Sequence, residues 1–142
     1  MPYSTLSDLK KKIDEAVLIQ LTDTAGAGVI DEDKVSRAIS GADALIDSHV
    51  GKVYAVPLAP APQIVSDMSA DIAIAKLHEF RSLGSAVWQV AHERAVTLLE
   101  KIAQGAVTLD GVSQAPAPSQ EADTAGFSSA PRRFSRESMK GM

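Results

Sequence analysis

Cysteine is missing from the sequence altogether, which excludes disulfides, thiolate chemistry and cysteine-based zinc sites and leaves the redox compartment open. Aromatic residues are scarce: three Phe, two Tyr and one Trp accompany a hydrophobic content of 45% in 142 residues. A core must then be built from aliphatic side chains and alanine, which suits helical packing in a single domain of this length. No apolar run approaches the roughly 18 residues that a membrane span needs. The opening MPYSTLSDLKKK lacks the apolar centre of a signal peptide, so a soluble, cytosolic protein with no membrane partner is expected. Catalytic signatures are also lacking. There is no Ser-His-Asp ordering with a nucleophile turn, no phosphate-cradling glycine loop followed by Lys, and no HExxH, each of which would place reactive groups at fixed spacing. His49, His78 and His92 fall on predicted helices. The Glu that follows two of them, in HEF and HER, points away from its neighbour because adjacent helix residues do not share a face. The expectation is a protein that is not an enzyme and that takes neither cofactor nor metal.

What is present is arranged unevenly. The net charge is −4, yet residues 1–111 carry ten Lys and Arg against fifteen Asp and Glu, whereas residues 126–142 carry four against one. A basic tail on an acidic body suits either a nucleic-acid arm or a peptide that docks on an acidic protein surface. Lys10, Lys11 and Lys12 form the only basic run in the body and read as a solvated helix face.

Hydrophobic spacing predicts a mainly α protein with four helices. In STLSDLKKKIDEAVLIQL, Ser4 or Thr5 is a candidate N-cap, and Leu6, Leu9, Ile13, Val17 and Leu21 recur at helical steps, with a candidate break at Asp14. A second helix spans about Glu32 to Val50, with Val35, Ile39, Ala42, Leu45, Ile46 and Val50 on one face and Gly51 where a capping glycine belongs. KVYAVPLAPAP follows. Its prolines 57, 60 and 62 forbid helix and predict an extended arm between helices two and three. A third helix, about Pro62 to Arg81, is apolar through Ile64, Val65, Met68, Ile72, Ala75, Leu77 and Phe80, so burial on more than one side is expected. The fourth starts at Gly84 or Ser85, carries the stripe Val87, Val90, Ala91, Ala95, Leu98, Leu99 and Ile102, and closes at Gly105. Tyr54 and Trp88 read as packing or interface anchors, because no basic stripe interleaves with them.

The segment DTAGAGVIDEDK, residues 23–34, has the rhythm of an EF-hand loop, with Gly28 at the bend and Asp31 at a later ligand position. Its ligands are missing. Ala25 and Ala27 stand where two oxygens are needed, and Lys34 where the loop needs a bidentate Glu. A glycine-rich turn, closed by Asp31 as N-cap of the next helix, is expected instead. A degenerate calcium-binding regulator is the rival reading.

After Gly111 the composition turns to Pro, Ala, Ser and Gln, which cannot bury enough apolar surface to fold alone. The chain therefore divides into a helical domain over 1–111, a flexible linker over 112–126 and a C-terminal tail over 127–142. FSSAPRRFSRESMKGM sets Phe127, Phe134 and Met139 among Arg132, Arg133, Arg136 and Lys140. Sparse apolar anchors among charges describe a segment that orders on a partner.

Taken in order, YSTLSDL, LIQLTDTAGAGVIDEDKVSRAISGADALIDSHV, KVYAVPLAPAP and FSSAPRRFSRESMKGM resemble the Mu-like family of phage head-to-tail connector proteins over nearly the whole chain. The resemblance implies a small helical structural protein that forms a twelve-fold ring beneath the portal protein and joins it to a tail-side neck, terminator or stopper protein. It also implies that genomic DNA passes through the ring, and that the protein resides in the virion neck and, during assembly, in the host cytoplasm. By the same resemblance the family's turn corresponds to Asp23–Asp31, its Tyr-x-x-Pro-Leu element to Tyr54, Pro57 and Leu58, and its closing motif to Phe127, Pro131, Phe134, Ser135, Ser138 and Gly141. Relatives often have a more acidic turn, and Ala25 and Ala27 depart from it. The candidate partner-binding residues are thus Tyr54, Pro57, Leu58, Phe127, Pro131, Arg132, Arg133, Phe134, Arg136 and Met139. The alternative is a DNA-binding helical module that uses the basic C-terminal arm.

Overall fold

Alternating caps and apolar stripes divide the chain into five helices, seen in a computed structural model that describes residues 2–112: α1 Leu6–Lys12, α2 Glu15–Thr22, α3 Glu32–Val50, α4 Gln63–Phe80 and α5 Ala86–Ala103. No strand occurs among the described residues. The fold is mainly α, as expected, with five helices in place of four. The expected first helix is two, because Ile13 and Asp14 are both extended, with ψ of 155° and 148°. Thr5 starts α1 through a capping box: its hydroxyl accepts from the Asp8 amide, and the Asp8 carboxylate accepts from the Thr5 amide at 2.8 Å. Such reciprocal bonds satisfy two donors that a helix start would otherwise leave open. The break shifts the buried stripe, so that Leu18, Leu21 and Thr22 are buried in α2 while Val17 is only partly covered.

The central element is α4, which packs against each of the other four helices. Val65, Met68, Ala70, Ile72, Ala73, Ile74 and Leu77 are all buried, a set that goes round the helix and agrees with the burial on several sides expected from its sequence. The alanines let neighbouring helices approach closely. Across from it, α3 buries Val35, Ala38, Ile39, Ala42, Ile46 and Val50. Gly51 caps α3 but not in the left-handed conformation that such glycines usually supply: its φ is −62°. It is needed for a different reason, since a Cβ there would lie 2.7 Å from the Asp47 carbonyl oxygen. At the other end of the bundle Gly105, at φ +82°, closes α5 in a Schellman motif, its amide bonded to the Ile102 carbonyl and that of Ala106 to Lys101.

The Lys10–Lys12 run is neutralised by acids of the same chain. Lys10 pairs with Glu15 at 3.4 Å, Lys11 with Asp8 at 3.6 Å, and Lys12 reaches Asp71 on α4 at 2.9 Å.

Candidate functional site

The proline-rich segment after α3 is not a free arm, because two of its residues anchor it to the body. Tyr54 and Leu58 are buried, at 2% and 5% exposure, and Pro57 between them is exposed. Two of its peptide bonds, Val56–Pro57 and Ala59–Pro60, are cis. Its backbone is fastened by Tyr3, which the sequence reading did not single out. The Tyr3 hydroxyl accepts from the Leu58 amide at 2.9 Å and donates to the Asp47 carboxylate, while the Tyr3 amide donates to Asp43 at 3.0 Å. Asp43 also accepts from Ser69 of α4 at 2.6 Å, and Ser69 shares a 2.7 Å hydrogen bond with Ser4. Burial, and then the bond to Asp47, push the Tyr3 hydroxyl up to about 12. Tyr54 repeats the device: its hydroxyl accepts from the Leu109 amide at 2.8 Å. Tyr54 and Leu58 thus hold the domain together, and among the three candidates in this segment only Pro57 offers its side chain to a partner.

The turn before α3 is closed from within. Gly26 and Gly28 both adopt φ +76°, a left-handed conformation that glycine reaches without a Cβ penalty. The Asp23 carboxylate accepts from the Gly28 amide at 2.6 Å and the Ala27 amide at 3.0 Å. Asp31 caps α3 by accepting from Asp33 and Lys34 amides, as its position predicts. Lys34 places its ammonium against the Thr22 carbonyl at 3.0 Å and the Thr24 hydroxyl. The turn therefore contains a cation of its own. Among the described residues no three His, Asp or Glu side chains gather as a metal site would require. The Gly28 bond, and then that of Ala27, hold the Asp23 carboxyl below its usual range. Its folded value being depressed, the loop's stabilisation is expected to be complete above the ordinary Asp range and lost as pH falls through the lower folded value. An NMR titration is expected to show the Gly28 amide moving with that depressed midpoint; a midpoint at or above the ordinary value would contradict the closure by Asp23.

An apolar surface lies where α4 passes into α5. Phe80 ends α4 at 66% exposure, Leu83 lies in the connection at 39%, and Val87 and Val90 stand on the first turns of α5 at 71% and 44%. No residue from Ala86 to Arg94 is buried; burial in α5 begins at Ala95 and continues at Leu99 and Ile102. Val87 and Val90 continue the predicted stripe, but among the described residues no element covers their half of it. The connection is tight: Ser82 adopts φ 54°, and the Leu83 amide returns to the His78 carbonyl at 3.0 Å, a helix stop more often made with glycine. Beside it a cleft of about 450 Å³ is lined by His78, Trp88 and His92 among others. His78 stacks on Trp88 with centroids 6.4 Å apart, and its Nδ1 lies 3.0 Å from the Ile74 carbonyl oxygen. That ring serves the local packing. His49 likewise lies 3.0 Å from the Leu45 carbonyl oxygen on its own helix.

Phe127, Pro131, Arg132, Arg133, Phe134, Arg136 and Met139 lie outside the described residues, as do the tail and all of the linker beyond Val112, which packs against the core. Among the described residues no helix is long and apolar enough to cross a membrane.

Comparison with known proteins adds two findings. A family model described as "Bacteriophage Mu, Gp36" matches residues 3–127. A curated relative, the Mu-like prophage FluMu protein gp36 of Haemophilus influenzae, is 30% identical over 139 residues, covering 98% of this chain and 96% of the relative.

Proposed function

The chain belongs to the bacteriophage Mu Gp36 family, and from that premise we propose that it is a structural protein of the virion neck, a head-to-tail connector that assembles as a ring under the portal. The observation that carries this reading is the uncovered apolar surface of Phe80, Leu83, Val87 and Val90. Large exposed hydrophobes gathered at one helix junction mark an interaction site more often than chance exposure does. Copies of the chain arranged head to tail around a ring, twelve in the proposed form, would cover that surface. Many weak contacts then add up through effective concentration. The basic segment 127–142 would dock on the portal protein, and the opposite face would receive the tail-side neck, terminator or stopper protein. An acidic body suits a channel that DNA must cross without sticking, since like charge prevents the counterion release that drives binding. The role is non-enzymatic, with the virion as final location and the host cytoplasm as the site of assembly.

The test is the mass of the complex formed with purified portal ring, by light scattering, for the wild-type chain and for Val87→Asp. The wild type is expected to add about a ring of copies, and Val87→Asp, expected to keep the fold because Val87 is 71% exposed, to add none or a few. Equal loading by both proteins would remove the apolar surface from the reading, and no loading by the wild type would remove the portal. The basic tail keeps one second reading in place, a DNA-binding module; its sign would be tight, salt-sensitive DNA binding that is lost when the chain is cut at Gly111.

A further inference from the structure

A groove of about 870 Å³ runs between the N-terminal segment and α3. Leu6, Val35, Ile39 and Ala44 give it an apolar lining, and Glu32, Asp43 and Asp47 its charge; no Lys or Arg lines it. Among the described residues Asp43 and Asp47 receive hydrogen bonds only from neutral donors, those of Tyr3 and Ser69. Among the described residues none of the three acids lies within ion-pair distance of a cation. Three uncompensated carboxylates around an apolar floor fit a cationic segment with a few hydrophobic anchors.

This chain has one. Residues 127–142 hold Phe127, Phe134 and Met139 among four basic residues and a single acid. We propose that in the free chain, before any portal is bound, this C-terminal segment docks in the groove of its own molecule. The described chain ends at Val112, three residues beyond Leu109, whose amide is bonded to Tyr54 just past the end of α3. Asp47, which lines the groove near the end of α3, is bonded to the Tyr3 hydroxyl, and that hydroxyl to the Leu58 amide just after α3. From there the 14 residues 113–126 can span at most about 46–50 Å by covalent geometry alone, against about 28 Å for the full length of α3. The groove is within range, and a short tether holds its end at millimolar effective concentration, far above that of a second molecule in dilute solution. The inference stands on the groove and the charge pattern and does not depend on the connector reading.

The absence of native cysteine makes the test direct. Ser40 is an exposed residue of the groove, and the full-length double variant Ser40→Cys, Ser135→Cys is oxidised mildly at low ionic strength. A monomeric product that has lost both thiols is expected, formed at least about tenfold faster than when Arg132→Glu and Arg133→Glu are added, and slowed by salt. Ser36→Cys in place of Ser40→Cys gives a second position in the same groove, and circular dichroism verifies that helix content is kept. Equal rates with and without the charge reversal at both positions, or a disulfide-linked dimer as the product, would overturn the proposal.

Discussion

Replacing Tyr3 by alanine is expected to lower folding stability by about 3–5 kcal/mol, the range for removing a buried aromatic side chain. This is the larger of two effects that urea unfolding should read directly. Tyr3 is 6% exposed, and its hydroxyl joins the proline-rich segment to α3. The milder Tyr3→Phe keeps the ring but strips the Leu58 amide of its acceptor, at a cost of about 1–3 kcal/mol for a buried unsatisfied donor. Hydrogen exchange at Leu58 should then quicken more than exchange in α4. Unchanged stability and unchanged Leu58 protection in Tyr3→Phe would show that the hydroxyl does not hold the segment. The raised pKa gives an independent reading. A group bound more tightly to its proton in the folded state stabilises fully below its unfolded value, near 10 for Tyr, and loses that contribution as pH rises toward the folded value of about 12. The wild type should therefore weaken across that window, and Tyr3→Phe should lack that step.

Ile74→Ala is expected to cost about 2–5 kcal/mol, whereas Val87→Ser should change the monomer's stability by less than about 0.5 kcal/mol. Both are aliphatic residues in helices, yet Ile74 is fully buried at the centre of α4 and Val87 is 71% exposed. The contrast separates hydrophobicity that folds the chain from hydrophobicity left over for assembly. A loss of several kcal/mol at Val87 in a dilute monomer would mean that its face is already covered.

Helix positions were readable because stripes and caps act locally: Asp31, Gly105 and the α3 face all stand where spacing puts them. Two features were not readable, for a common reason. Leu58 is held by Tyr3 and Tyr54 by Leu109, each 55 residues away, and a period of two or three residues carries no information about such a partner. The exposure of Val87 and Val90 is the same problem reversed. A stripe says that a face is apolar, but only the assembled domain says whether anything lies against it. The turn at residues 23–34 was legible in outline from Ala25, Ala27 and Lys34, since missing ligands are a local fact. That Lys34 would reach Thr22 and Thr24 depended on the fold around it.

The two tyrosine hydroxyls also define a load path. Leu109 is fastened to Tyr54 and Leu58 to Tyr3, so both ends of the domain are pinned to one short segment beside the end of α3. Tension applied beyond Val112 meets the Leu109 clamp before it reaches the last turn of α5. Force drawn through the tail is thereby passed to the segment after α3 and on to the N-terminus, bypassing the Schellman turn at Gly105 where a pulled helix would start to unwind.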